Sequence, residues 1–96
     1  MILPLHVRMA RAALKWSLSE LAERAQVNLN TISRYEAGKE ILSGTLQRIE
    51  KVLQEEGIIF FEEDDLFGPG VRLGKRKGHA KKGSTADASP IAGRSR

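Results

Sequence analysis

SLSELAERAQVNLNTISRYEAG, residues Ser17 to Gly38, reads as two short helices joined by a tight turn, and the rest of the chain supports or extends that unit. Leu18, Leu21, Ala22 and Ala25 recur at helical spacing, and Ser17 followed three residues later by Glu20 is a capping-box pattern that marks a helix start. The first helix of the pair is therefore expected over about Leu18 to Ala25. Asn28 is a strong N-cap type, Ile32 and Tyr35 stand three apart, and Gly38 can take the left-handed conformation that ends a helix. A second helix of about eight residues follows from these signals.

The size pattern across the turn constrains how the two helices meet. Ala22 is small where the second helix must cross the first, Val27 is placed to plug the turn, and Ile32 and Tyr35 point back into a shared core. Leu29, Asn30, Thr31, Ser33 and Arg34 are then left facing outward. Most are short or polar side chains with donors and acceptors suited to base edges and phosphates, as expected of a helix lying in a major groove.

With these residues in view, ARAALKWSLSELAERAQVNLNTISRYEAG resembles the lambda-repressor-like, or Cro-type, helix-turn-helix DNA-binding family, over roughly Leu5 to Leu53. The resemblance is carried by Ala22 and Ala25, by Val27, by T-I-S-R at Thr31 to Arg34, and by E-x-G at Glu36 and Gly38. Two positions depart from the family pattern. Gln26 occupies the turn position where the family usually has Gly, and a left-handed non-Gly residue costs about 1 kcal/mol. Leu18 stands where the family often has a Gln that contacts phosphate. The outward phase relative to Ile32 and Tyr35 points to base recognition by Asn30, Ser33 and Arg34, with Leu29 and Thr31 adding apolar or backbone contacts. Free N–H groups at helix starts bind anions, which points to Ser17, Leu18, Gly44 and Thr45 as phosphate contacts, with Lys39 as a charged supplement.

Upstream, Pro4 suits the first position of a helix, and Val7, Ala10, Arg11 and Leu14 repeat at helical spacing over about Leu5 to Lys15. A partly buried Arg11 needs an anionic partner, and Glu36 is the candidate. Proteins resembling this one pair an Arg on helix one with a Glu ending the recognition helix at this separation; the alternative is two separately solvated charges. Trp16 is expected to pack on the core rather than stack on bases, because single-strand readers interleave several aromatics with basic residues.

Downstream, KEILSG at residues 39–44 reads as a loop, with Ser43 able to cap a fourth helix of about Gly44 to Glu56 that carries Leu46, Ile49, Val52 and Leu53 on one stripe. Gly57 stops it. Ile58 to Glu62 then changes to a β-branched and aromatic run that reads as a strand, with Val71, Arg72 and Leu73 returning after a loop of about eight residues. Both faces of the first strand are apolar, and a core this small covers one of them. The four residues Ile58 to Phe61 are thus a candidate homodimer interface, the alternative being that the strand folds wholly onto helices one and four. The remaining segment is rich in Gly, Ser, Ala and Lys and is expected to be disordered.

The fold class expected is mainly α: a compact four-helix lambda-repressor-like helix-turn-helix domain at 1–57, a β-hairpin at 58–73 as dimerisation element, and a basic tail at 74–96. Residues from Arg72 to Arg96 hold eight Lys or Arg against one Asp, a net +7, within a chain of net +4. The tail is either a solvated basic run or an added source of phosphate affinity. Six acidic residues (Glu55, Glu56, Glu62, Glu63, Asp64 and Asp65) precede it.

With 96 residues and no Cys, neither a large enclosed active site nor a disulfide or zinc-finger framework is expected. Pro4, His6, Arg8 and Arg11 break the amino-terminal apolar run, so the expectation is a soluble, cytoplasmic protein without a signal peptide or membrane span. His6 and His79 are too isolated for a metal site, and the consecutive acidic residues diverge, so no catalytic residue, metal or cofactor is expected. The leading function is a sequence-specific double-stranded DNA-binding transcriptional regulator, a homodimer on a palindromic operator, acting by occluding or by recruiting polymerase at a promoter. The alternative is an antitoxin-like or adaptor protein that binds a partner protein and regulates its own promoter through the same motif. RNA is disfavoured because the A-form major groove is too narrow for a recognition helix.

Overall fold

The computed structural model describes residues 1–75. Four helices, α1 (Pro4–Leu14), α2 (Leu18–Ala25), α3 (Leu29–Glu36) and α4 (Ser43–Glu55), precede two antiparallel strands, β1 (Ile58–Phe61) and β2 (Gly70–Leu73). The mainly α architecture with a terminal hairpin is the one expected from the sequence. The tail expected from residue 74 onward falls, beyond Lys75, outside the described residues.

Each helix ends for a local reason. Lys15 takes a left-handed conformation at φ 61°, so α1 stops at Leu14 rather than at Lys15. Gln26 does the same at φ 55°, donating its N–H to the Glu23 carbonyl while Val27 N–H reaches Ala22 O, a closure that satisfies the last carbonyls of α2. Gly38 and Gly57, both at φ 99°, turn the chain after α3 and α4. At the start of α4 the expected cap is displaced. Leu42, not Ser43, is the N-cap, its carbonyl accepting Leu46 N–H at 3.0 Å, and no side chain caps this end.

One core joins the four helices and β1, with Val71 of β2 packed against it. Val7 and Ala10 from α1, Leu21, Ala22 and Ala25 from α2, Val27, Ile32 from α3, Leu46, Ile49 and Leu53 from α4, and Ile58 from β1 are all buried together. Full burial of a side chain such as Leu21 or Ile49 contributes about 1.5 to 3 kcal/mol. Ile2 is buried in the same cluster, and its carbonyl accepts the Tyr35 hydroxyl at 2.6 Å, which ties the amino terminus to α3. Burial, with the Glu50 carboxylate, pushes the Tyr35 hydroxyl above its ordinary range, so it stays a neutral donor.

The hairpin register pairs Ile58 with Leu73, Ile59 with Arg72, Phe60 with Val71 and Phe61 with Gly70. Cross-strand partners share a face, so Ile58, Phe60, Val71 and Leu73 lie on the inner side, Leu73 half-exposed there, and Ile59, Phe61 and Arg72 on the outer. His6, fully buried on α1, fixes this orientation. Its Nδ1 accepts Leu3 N–H at 2.9 Å, which leaves Nε2–H to donate to Phe61 O at 2.8 Å, and its ring meets Phe60 edge-on. Both ring nitrogens are thereby satisfied by the neutral imidazole, as a buried His requires. No helix among the described residues is long and apolar enough to cross a membrane.

Candidate nucleic-acid interface

The interface is built on the α2–α3 unit. Ser17 Oγ accepts Glu20 N–H at 3.0 Å and starts α2, but the reciprocal half of the expected capping box is replaced: the Glu20 carboxylate turns instead to Arg24 Nε at 2.6 Å. Asn28 Oδ1 accepts Asn30 N–H at 2.8 Å and starts α3. With both helix starts capped and Ala22 and Ala25 allowing close approach, Ile32 is driven wholly into the core. That single anchor sets the rotation of α3.

Given that rotation, Asn30 and Arg34 stand one turn apart on the side of α3 opposite Ile32, both exposed. Thr31 and Ser33 flank them, half-buried, and Leu29 is exposed at the amino end. Among the described residues none of the side chains of Asn30, Thr31, Ser33 and Arg34 is engaged in an internal hydrogen bond, so their polar atoms are open to an incoming ligand.

The end of α3 is held by two arginines from α1. Arg11 donates through Nε and Nη2 to the two oxygens of Glu36 at 2.7 and 2.8 Å, and through Nη1 to Trp16 O at 3.0 Å. The hydrogen bond to Glu36 raises the Arg11 pKa, with burial opposing it, so the guanidinium remains charged at any accessible pH. Arg8 Nη1 donates to the backbone carbonyl of Glu36 at 2.6 Å. Glu36 is thus gripped by its side chain and by its main chain. The sequence reading missed Arg8; its place one turn before Arg11 on α1 was the available signal. Trp16 packs against the core, and the Arg24 guanidinium covers its ring at 4.5 Å while pairing with Glu20 and Glu56.

The phosphate candidates fall at three places. Ser17 and Leu18 begin α2, the first exposed and the second half-buried. Lys39 is exposed just after Gly38, its own N–H bonded to Arg34 O at 2.9 Å, which fixes the loop root. Gly44 and Thr45 lie in the first turn of α4, whose N–H groups have no side-chain cap because Leu42 has no acceptor to offer.

Of the four candidate interface residues in β1, the structure withdraws two. Ile58 is fully buried and Phe60 packs on the core, so only Ile59 and Phe61 face outward. The acidic loop is also organised differently from a diffuse charge run. Asp64 Oδ1 accepts the N–H groups of Leu66 and Phe67 at 2.9 and 2.8 Å, and these bonds, Phe67 first, hold its pKa below the usual carboxylate value. Among the described residues no group of His, Asp or Glu converges as a metal site.

A family model described as helix-turn-helix matches residues 7–58, more than half of the chain. The match spans α2, the turn and α3, and runs from within α1 to the start of β1. No curated protein matches the chain.

Proposed function

The chain belongs to the helix-turn-helix family, a family of DNA-binding transcriptional regulators, and from that premise we propose that it is a sequence-specific repressor acting as a homodimer on a palindromic operator. The observation that carries this reading is α3 itself: exposed Asn30 and Arg34 and half-buried Ser33 have uncommitted side chains on a helix whose rotation is set by Ile32 and whose end is gripped by Arg8 and Arg11. Such a helix presents donors and acceptors to base edges in a major groove without first breaking an internal bond. Leu29 and Thr31 add contacts to thymine methyl groups or the sugar–phosphate chain. Ser17, Leu18, Lys39, Gly44 and Thr45 supply the phosphate contacts that set register.

A single eight-residue recognition helix reads few base pairs, and a two-fold dimer doubles the site by setting two such helices about 34 Å apart. Ile59 and Phe61 supply the uncovered apolar face for that dimer, and repression follows by occlusion of a promoter. Selection of bound duplexes from a random pool tests the reading directly. It should enrich a two-fold symmetric site with half-sites about one helical turn apart; recovery of no preferred sequence would refute it. Ile59→Asp or Phe61→Asp should give a monomer with an intact helical core and much weaker operator binding.

A further inference from the structure

The hairpin is chemically polar along its length. Its loop end carries Glu62, Glu63, Asp64 and Asp65, and the Asp64 bonds hold Leu66 and Phe67 out in solvent, 83% and 71% exposed. Its other end carries Arg72 and Lys75, both exposed, beside Leu73, which is half-exposed. Local neutralisation is slight at the loop, where the Met1 ammonium lies 3.7 Å from Glu62 with both groups largely in water. At the opposite end Glu55 is exposed, whereas Glu56 is paired with Arg24. Two large apolar side chains held in solvent by an ordered turn at one end of the hairpin, with a half-exposed third at the other, mark a surface meant to be covered.

The strand edge adds a second feature. Gly74 N–H donates to Gly57 O at 2.7 Å, so by the alternation of an antiparallel ladder the main-chain groups of Val71 and Leu73 point away from β1. Among the described residues they have no other main-chain partner. The outer face beside this edge carries Ile59, Phe61 at 47% exposure, and Arg72, whose guanidinium lies 5.8 Å from the Phe61 ring.

We propose that a second copy of this chain covers this surface with its hairpin running antiparallel to the first about a two-fold axis. The Leu66–Phe67 tip of each copy then lies over the Leu73 end of the other, and Glu63 and Asp65 of each face Arg72 and Lys75 of the other. The occupant follows from the charge pattern. A parallel arrangement brings the acidic loops of both copies together, whereas the antiparallel one sets acid against base twice, once at each end. The same arrangement matches exposed apolar groups with exposed apolar groups. This inference rests on the homodimer reading above and specifies its geometry.

Charge reversal in the full chain tests it. Glu63→Lys with Asp65→Lys makes one variant, and Arg72→Glu with Lys75→Glu makes the other; Asp64 is left intact because it holds the turn. Analytical ultracentrifugation of each variant alone should show a dimer dissociation constant raised roughly tenfold or more, since every cross-axis pair becomes repulsive. Mixed one to one, the two should form a heterodimer about as tight as the unmodified homodimer, with circular dichroism confirming unchanged helix content throughout. If the unmodified chain dimerises and the variants dimerise equally well alone, or if mixing restores nothing, the antiparallel geometry is wrong while the dimer stands. A monomeric unmodified chain overturns both.

Discussion

Replacing Glu36 by Ala isolates the side-chain ion pair that ties the end of α3 to α1. The Glu36 carboxylate is only 9% exposed and the Arg11 side chain 21%, and they share two short bonds. Removal of the carboxylate strips two of the three bonds the guanidinium makes, leaving Trp16 O as its remaining acceptor. Breaking a well-buried ion pair costs about 3 to 5 kcal/mol, because the orphaned charge has lost its water as well as its partner. Arg11 keeps some access to water and one carbonyl, which places the cost lower, at about 2 to 3 kcal/mol. Deprotonation offers no relief, since the Arg11 pKa starts too high.

For a domain of this size each kcal/mol lowers Tm by about 4 to 8 °C, so Glu36→Ala should melt roughly 10 to 20 °C below the parent. Thermal and urea unfolding of the full chain followed by circular dichroism would measure it, with an unchanged urea slope showing that stability alone has moved. Arg11→Met added to Glu36→Ala should recover part of the loss, because no charge then remains buried. The Arg8 bond is to the Glu36 main chain and survives the substitution. A Tm unchanged by Glu36→Ala would refute the argument, since it would mean that the pair is fully solvated in solution.

Arg34→Ala should weaken binding to the selected operator by about 1 to 3 kcal/mol in a mobility-shift titration if Arg34 pairs with guanine, with a much smaller effect on random DNA; equal losses would make it a phosphate contact. Gln26→Gly should raise Tm modestly, because Gln26 sits at φ 55° where a non-Gly residue costs about 1 kcal/mol, less the added freedom of the unfolded chain. The Asp64 turn should be intact at neutral pH. Its folded pKa lies below the ordinary value of about 3.9, so the stability it adds is present above that value and lost as pH falls through the folded one. Amide exchange at Leu66 and Phe67 should therefore quicken relative to the helical core only below about pH 4, and Asp64→Ala should show that loosened turn at neutral pH.

What the sequence made legible is what local chemistry determines. The limits of α2 and α3 follow from Ser17, Gln26, Asn28 and Gly38, each acting within a few residues of itself. Ser43 misled for the converse reason. A cap of its type contributes only about 1 kcal/mol, too little to fix the first residue of α4, and Leu42 takes the cap position instead. Apart from the Arg11–Glu36 pair, signalled by a charge on an apolar stripe and by the family resemblance, the long-range bonds were not legible: Tyr35 to Ile2, Arg8 to Glu36 and His6 to Phe61 join residues far apart in sequence, and none leaves a periodic trace. The hairpin shows where this boundary lies. Alternation of Ile58, Ile59, Phe60 and Phe61 establishes two apolar faces but is symmetric between them, so sequence alone cannot say which turns inward. The choice is made from α1, where buried His6 bonds the end of β1 and packs on Phe60. Once that contact commits Ile58 and Phe60 to the core, Ile59, Phe61 and Arg72 are left outward by geometry alone, and it is on that face that the proposed dimer rests.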